Sequence, residues 1–333
     1  SSEGSIMEDK RNYNIYLGFL MAAALGVAVF FIVDMQKVLD PLIAGIFIGM
    51  VVRLLLGSRD SLNPGFELAP KVCIPVGIIF YGVNLQFYKM GAIPLTTWLQ
   101  IFFGVIIVFW VAVYLGKNFL ESRAIIFLIA VGTAICGVSA IALAAPVVKS
   151  KPEETGIALL VITFWGFLGM LVYPYLQVFL HMSVENYSLL CATTLHQAGF
   201  VKTAAMHLGD FCLERAMLLK TVRIGLIIPA MVFVSWIVNQ KEIKMKGRIS
   251  VPWFLWAFLM VGAVFFFIPM LHAYVPLAKT VGKFFWVIAM TGLGLTVDIR
   301  KVFVNMKRPL LFGLIVWLAV VFNFFLGYYG MGY

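Results

Sequence analysis

The sequence predicts an all-α polytopic membrane protein, and three observations carry that reading. Apolar residues make up 62% of the chain and the mean hydropathy is +1.01, where a soluble domain has roughly 45–50% apolar residues. They gather into runs near the about 20 residues that a helix needs to cross the hydrocarbon core. Charged residues, only 12% of the chain, collect between those runs. A soluble core able to hide so much apolar surface would need a far larger chain, because the buried fraction rises only slowly with size.

Taken in order, the runs give about eleven spans: Asn14–Val33, Pro41–Gly57, Val72–Met90, Pro94–Gly116, Ala124–Val148, Ile157–Leu180, Tyr187–Leu208, Ala216–Val238, Pro252–Tyr274, Lys283–Val297 and Pro309–Tyr329. No connection is long enough for a further domain, so residues 14–333 read as one transmembrane domain. Residues 1–13 read as a cytoplasmic tail whose Ser1–Gly4 is an appended remnant. With the N-terminus inside, cytoplasmic segments hold fifteen Lys and Arg against seven opposite, the densest being Lys241–Arg248 and Arg300–Arg308. Positive loops stay cytoplasmic, so the chain is expected in the inner (plasma) membrane with its N-terminus in the cytoplasm. Ala124–Val148 and Tyr187–Leu208 suit a broken or re-entrant path as well as a continuous one.

The net charge of +10 is accounted for by such loops and not by nucleic-acid binding; the expected partners are membrane lipids and a small solute, with a homodimer compatible. Four cysteines without a C-x-x-C pair indicate neither a disulfide framework nor a zinc site. The chain has no HExxH, no P-loop, no GxGxxG after a strand and no intramembrane carboxylate cluster. No enzyme, metal or cofactor is therefore expected.

Lys71–Met90 aligns without gaps on Lys283–Val302, matching Lys71 with Lys283 and Gly82 with Gly294. Each copy precedes a Pro-started apolar helix, which marks repeat halves around 71–116 and 283–329. Their odd separation in helix count would point them oppositely across the membrane, as in inverted-repeat transporters. Chance similarity within a small apolar alphabet is the other reading.

Three segments interrupt the apolar background. Gly132–Ala140 (GTAICGVSA) places Gly132, Thr133, Cys136, Gly137 and Ser139 inside a span. Glycine destabilises helix interiors, and an unwound stretch in hydrocarbon must offer its N–H groups to a partner, such as an anion at a half-helix N-terminus. Close packing through small residues explains the same pattern. Thr193–Thr203 holds His196, Gln197 and Lys202; ionisable residues at that depth normally face a cavity or a partner. His196, with an unperturbed pKa near 6.5, suits either proton coupling or hydrogen-bonded packing, and Lys202 either a site or snorkelling. Lys220 and Arg223, three residues apart, can hold an oxyanion or anchor to headgroups. Asn84 and Thr296 occupy equivalent places in the two repeat copies and either line a cavity or satisfy neighbouring backbone. Asp298 is expected to pair with Arg300 and Lys301.

These residues give the chain a resemblance to the YeiH family, described as sulfate exporters. It is carried by GTAICGVSAIALAAPVVKSK at Gly132–Lys151 with Glu154, by Gly166 and Tyr173-Pro174, by His196, and by Lys220-Thr221-Val222-Arg223 leading to Ile228-Pro229. The resemblance implies a fold like those of sodium/proton antiporters and bile-acid symporters, with two crossing discontinuous helices, and it implies anion transport. An acidic residue commonly follows the histidine in that family, whereas Gln197 does here, and Lys202 stands where a small or apolar residue is usual. Both departures favour a more anionic ligand and argue against carboxylate-based proton coupling.

The leading expectation is a secondary transporter of a small oxyanion, sulfonate or organic anion. It would work by alternating access, with the solute between the Gly132–Ser139 amides and Lys202, Lys220 and Arg223. A proton- or sodium-coupled carrier of a neutral or amphipathic solute is the alternative, and an intramembrane enzyme using His196 with Cys136 or Cys191 the alternative of another class.

Overall fold

The computed structural model describes residues 2–36, 41–57, 61–84, 93–238 and 253–330, all of them helical or in the turns between helices. In chain order the α-helices are α1 (Ser2–Gln36), α2 (Pro41–Leu56), α3 (Asn63–Tyr81), α4 (Leu95–Phe119), α5 (Arg123–Ala134), α6 (Val138–Val148), α7 (Pro152–Phe179), α8 (Val184–Thr194), α9 (Ala198–Ala205), α10 (Asp210–Gly225), α11 (Ile227–Val238), α12 (Trp253–Phe267), α13 (Val275–Thr296), α14 (Ile299–Val304) and α15 (Lys307–Gly330). Short 3-10 turns cover Gly82–Asn84, Met206–Leu208 and Pro269–Tyr274. The chain is a multi-pass all-α membrane protein.

Among the described residues five helices are long and apolar enough to cross a membrane, and six if the pair Trp256–Phe267 and Pro269–Thr296, bent by 115°, counts as one span. The count of eleven uniform spans is not reproduced. The predicted fifth and seventh spans each fold as two half-helices, α5 with α6 and α8 with α9. The third and tenth begin earlier than predicted, at Asn63 and Val275, which takes Lys71 out of a loop and moves Lys283 from the start of a helix into its interior. Lys71 is exposed there and pairs with Glu67, one turn before it, at 3.1 Å. Lys71 and Lys283, matched in the internal alignment, each stand eight residues after their helix begins. The ninth predicted span stops at Phe267, where Ile268 and Pro269 turn the chain into a 3-10 segment. The Lys241–Arg248 cluster that weighed in the orientation lies outside the described residues.

The chain divides into two compact units: Ser1–Asn84 with Pro252–Phe303, and Leu85–Val251 with Val304–Tyr333. In the first, α13 packs on α1, α2 and α3, and glycines set the spacing. Gly45 and Gly49 of α2, a G-x-x-x-G pair, lie against Thr291 and Gly294 of α13, and a Cβ on Gly49 would stand 2.9 Å from the Gly294 Cα. Gly49→Ala is therefore expected to push the two helices apart and to destabilise by roughly 1–3 kcal/mol, seen as a lower Tm in detergent.

The second unit collects almost all the buried polar side chains. Gln100, Thr133, Asn186, Ser188, Thr193, Thr194, His196, Gln197, Lys220, Arg223 and Asn323 are buried there, whereas Thr291 is the buried polar side chain described in the first. Buried polar groups are stable only when partnered, so this concentration marks the place where the fold does something besides fill a bilayer.

Candidate functional site: two crossing helix breaks

The first break is built on Gly137. The N–H of Ile135 donates to Val131 O at 3.0 Å and the N–H of Gly137 reaches back to Gly132 O at 2.9 Å, which ends α5. Gly137 then sits at φ +76°, ψ −122°, a conformation open essentially to glycine alone. Its carbonyl accepts from Ile141 N at 3.1 Å and so starts α6. Beside the turn, Cys136 Sγ and Ser139 Oγ lie 2.9 Å apart.

The second break is an extended step from Leu195 to Gln197, whose ψ angles of 141° and 149° cannot continue a helix. Leu195 N–H closes α8 on Cys191 O, and Gln197 O accepts the first bond of α9 from Val201. Thr193 and Thr194 turn their hydroxyls back onto Leu189 O and Leu190 O, which spares them a polar side chain in an apolar surround. Gln197 Nε2 donates to Thr163 Oγ1 of α7 at 3.0 Å. The two breaks touch: a Cβ on Gly137 would meet Gln197 Cγ at 2.5 Å and the His196 carbonyl carbon at 3.3 Å.

Depth in the bilayer follows from α7. Gly166, at the middle of this 28-residue span, lies against Phe200 and the His196 ring, 3.3 Å from Nδ1 to a Cβ built on it. The crossing is therefore at about the bilayer midplane. Trp317 of α15 packs at the same level, 6.4 Å from the His196 ring.

Lys220 and Arg223 meet the breaks from α10. Lys220 Nζ donates to Leu195 O at 2.8 Å and His196 O at 2.9 Å. Arg223 donates through Nε to Ala134 O at 2.6 Å, through Nη1 to Ala192 O at 3.1 Å and Leu195 O at 3.0 Å, and through Nη2 to Thr133 O. Both side chains are essentially fully buried. Every acceptor is a backbone carbonyl, and all but His196 O, which lies in the extended step, are at the C-terminal end of a half-helix, where the orphan carbonyls and the negative pole of the helix dipole lie. One two-cation fork thus joins the ends of α5 and α8.

The opposite poles carry no such cap. Gly137 and Gln197 precede α6 and α9 without a side-chain cap, and the N–H groups of Val138, Ser139, Ala198 and Gly199 come ahead of the first intrahelical acceptors. Ser139, Ala198 and Gly199 are half-buried, while the residues of the breaks themselves are buried. A cavity of about 10 Å³ lies beside Arg223, between Gln100, Ala134 and Thr193 among others, with room for about one water.

The structure thus brings together Gly132, Thr133, Cys136, Gly137, Ser139, His196, Gln197, Lys220 and Arg223. Lys202 is on the exposed face of α9, four residues past its start. Thr296 donates to Leu293 O within its own helix at 2.7 Å, and the side chain of Asn84 lies outside the described residues. Asp298, expected in an ion pair, caps α14 by accepting from the N–H of Arg300 at 3.0 Å, as a carboxylate at a helix start does. Thr163, which fastens Gln197, and Trp317, which packs on His196, were not singled out in the sequence, where one hydroxyl or indole in an apolar run carries little signal.

Chemically, the crossing offers hydrogen-bond donors and positive charge. No acidic side chain among the described residues is buried, and no group of three or more His, Cys, Asp or Glu that could hold a metal occurs among them.

The family model of "conserved hypothetical protein 698" matches residues 17–313. A UPF0324 membrane protein of Bacteroides thetaiotaomicron is 30% identical over 319 residues, covering 91% of this chain and 95% of that protein. Its counterparts in Oceanobacillus iheyensis, 29% identical over 88% of each chain, and Archaeoglobus fulgidus, 29% identical over 73% of this chain and 71% of the other, are also similar. No solved structure matches. The chain belongs to the conserved hypothetical protein 698 family, the YeiH-type family of UPF0324 membrane proteins.

Proposed function

We propose that the protein is a secondary transporter of a small anion, a sulfate-like oxyanion, sulfonate or organic anion, held at the N-terminal ends of α6 and α9. The observation that carries this reading is the uncompensated charge of the crossing. Two C-terminal helix ends, each worth roughly half a negative charge, offset about one of the two buried cations, and the N-terminal ends of α6 and α9 add about one positive charge more. With no buried acidic side chain described, a dianion is the complement.

In this reading Lys220 and Arg223 hold the half-helices and set the potential, and Ser139, Cys136 and Gln197 stand by the amides that take the ligand. The solute enters as helices separate, which is alternating access. The protein is a carrier without enzymatic chemistry, metal or cofactor. Its coupling partner is a proton or a sodium ion, and its seat is the inner membrane with the N-terminus in the cytoplasm.

The test is uptake into proteoliposomes. Labelled sulfate or a small organosulfonate is expected to enter, with cold anion competing. Uptake of an uncharged solute that no anion inhibits would overturn the reading.

A further inference from the structure

Lys202 is one of the predicted residues that the crossing leaves out, and its place is harder to explain than that of the buried cations. It lies two residues past Phe200 on α9, hence about 3 Å along the helix axis. Phe200 packs against Gly166 at the middle of α7. Lys202 is therefore near the bilayer midplane, and it is exposed, as is Thr203 beside it. The nearest headgroup layer lies roughly 12 Å further out, on a half-thickness of about 15 Å. A lysine stem does not span that distance, so snorkelling does not account for it. A lysine facing acyl chains at this depth would stand in the environment least able to hold it.

Helical register adds a second observation. Lys202 is four residues from Ala198 and three from Gly199, and Thr203 is four from Gly199, onto whose carbonyl its hydroxyl folds at 3.1 Å. Residues so spaced share one face. The exposed lysine and the half-buried start of α9 are thus one continuous strip. Contrast α4, where the exposed residues at mid-span are Phe102, Phe103, Ile106 and Trp110, as suits contact with lipid.

We infer that the Lys202–Thr203 face of α9 lines a water-filled approach to the crossing, in which Lys202 draws the anion toward the N-terminal end of α9. The inference rests on the anion reading for the identity of the traveller and on exposure and depth for the water.

Thiol labelling tests the two parts separately. The four native cysteines are buried and supply a quiet background. Lys202→Cys and Thr203→Cys, in intact protein in liposomes, are expected to react with membrane-impermeant methanethiosulfonates, and Ile106→Cys on α4 is not. Thr203→Cys is expected to react at least tenfold faster with the sulfonate-bearing reagent than with the trimethylammonium one, after correction for their rates with free thiol. Adding Lys202→Gln abolishes that preference. Overturning results are labelling of 202 and 203 as slow as of 106, or fast labelling without charge preference. Because labelling needs no transport, the expected pattern without anion uptake would refute the carrier reading alone, and uptake with unreactive 202 and 203 would refute the approach alone.

Discussion

Arg223→Ala is expected to cost on the order of 5 kcal/mol and to lower the Tm in detergent by roughly 10–20 °C. The side chain supplies bonds to Thr133 O, Ala134 O, Ala192 O and Leu195 O. These carbonyls end two half-helices inside the bilayer, where water does not replace a lost donor. A buried carbonyl left without a partner costs about 1–3 kcal/mol, and truncation orphans three outright, because Lys220 still serves Leu195 O. It also removes the charge opposing both helix dipoles. Arg223→Lys keeps the charge and loses the fork, so its Tm should fall between wild type and Arg223→Ala. Lys220→Met removes two bonds and should cost less than Arg223→Ala. Thermal unfolding followed by tryptophan fluorescence reads all three. A Tm for Arg223→Ala equal to wild type would mean that the fork does not hold the crossing.

Gly137→Ala is expected to reduce anion uptake by at least about 100-fold while lowering the Tm less than Arg223→Ala. At φ +76° and ψ −122° an L side chain is strained by roughly 1–3 kcal/mol. The added methyl would also lie 2.5 Å from Gln197 Cγ and 3.2 Å from His196 O, so the second break must move. Displacing it shifts the N-terminus of α9 relative to that of α6, and a misplacement of about 1 Å between groups that share a ligand is enough for a loss of this order. Uptake and Tm on the same preparation separate a displaced site from an unfolded one. Unaltered uptake would place the ligand elsewhere.

Much of this architecture was legible in the sequence because bilayer physics writes it in residue types. Runs of about 20 apolar residues announce spans, and Gly132 and Gly137 with Thr133 and Ser139 left a break and close packing both open; the break falls at Gly137, whereas Gly132, within α5, packs against Ile141 and Ile162. His196, Gln197, Lys220 and Arg223 stood out on the same ground, and the structure puts them within one crossing. What could not be read was the partner of each cation. Lys220 and Arg223, spaced to grip a ligand, bind carbonyls of residues up to 90 positions away, and carbonyls leave no trace in the side-chain alphabet. Lys71 and Lys283 misled the spans as well. A lysine looks like a loop or the start of a helix, whereas the helices run on through both. Thr163 was silent because a hydroxyl gains meaning only from the Gln197 amide opposite it.

The central claim, that the crossing is an anion site, is tested most directly by ligand-dependent stability of the purified protein. The Tm is measured against graded sulfate, organosulfonates, dicarboxylates, uncharged analogues and cations at constant ionic strength. A ligand that binds only the folded state stabilises it by about 2.7 kcal/mol at 100 times its Kd. The account predicts that at least one divalent anion raises the Tm in a saturable way and that Gly137→Ala abolishes the rise. Stabilisation by an uncharged solute or a cation, with every anion inert, would contradict it.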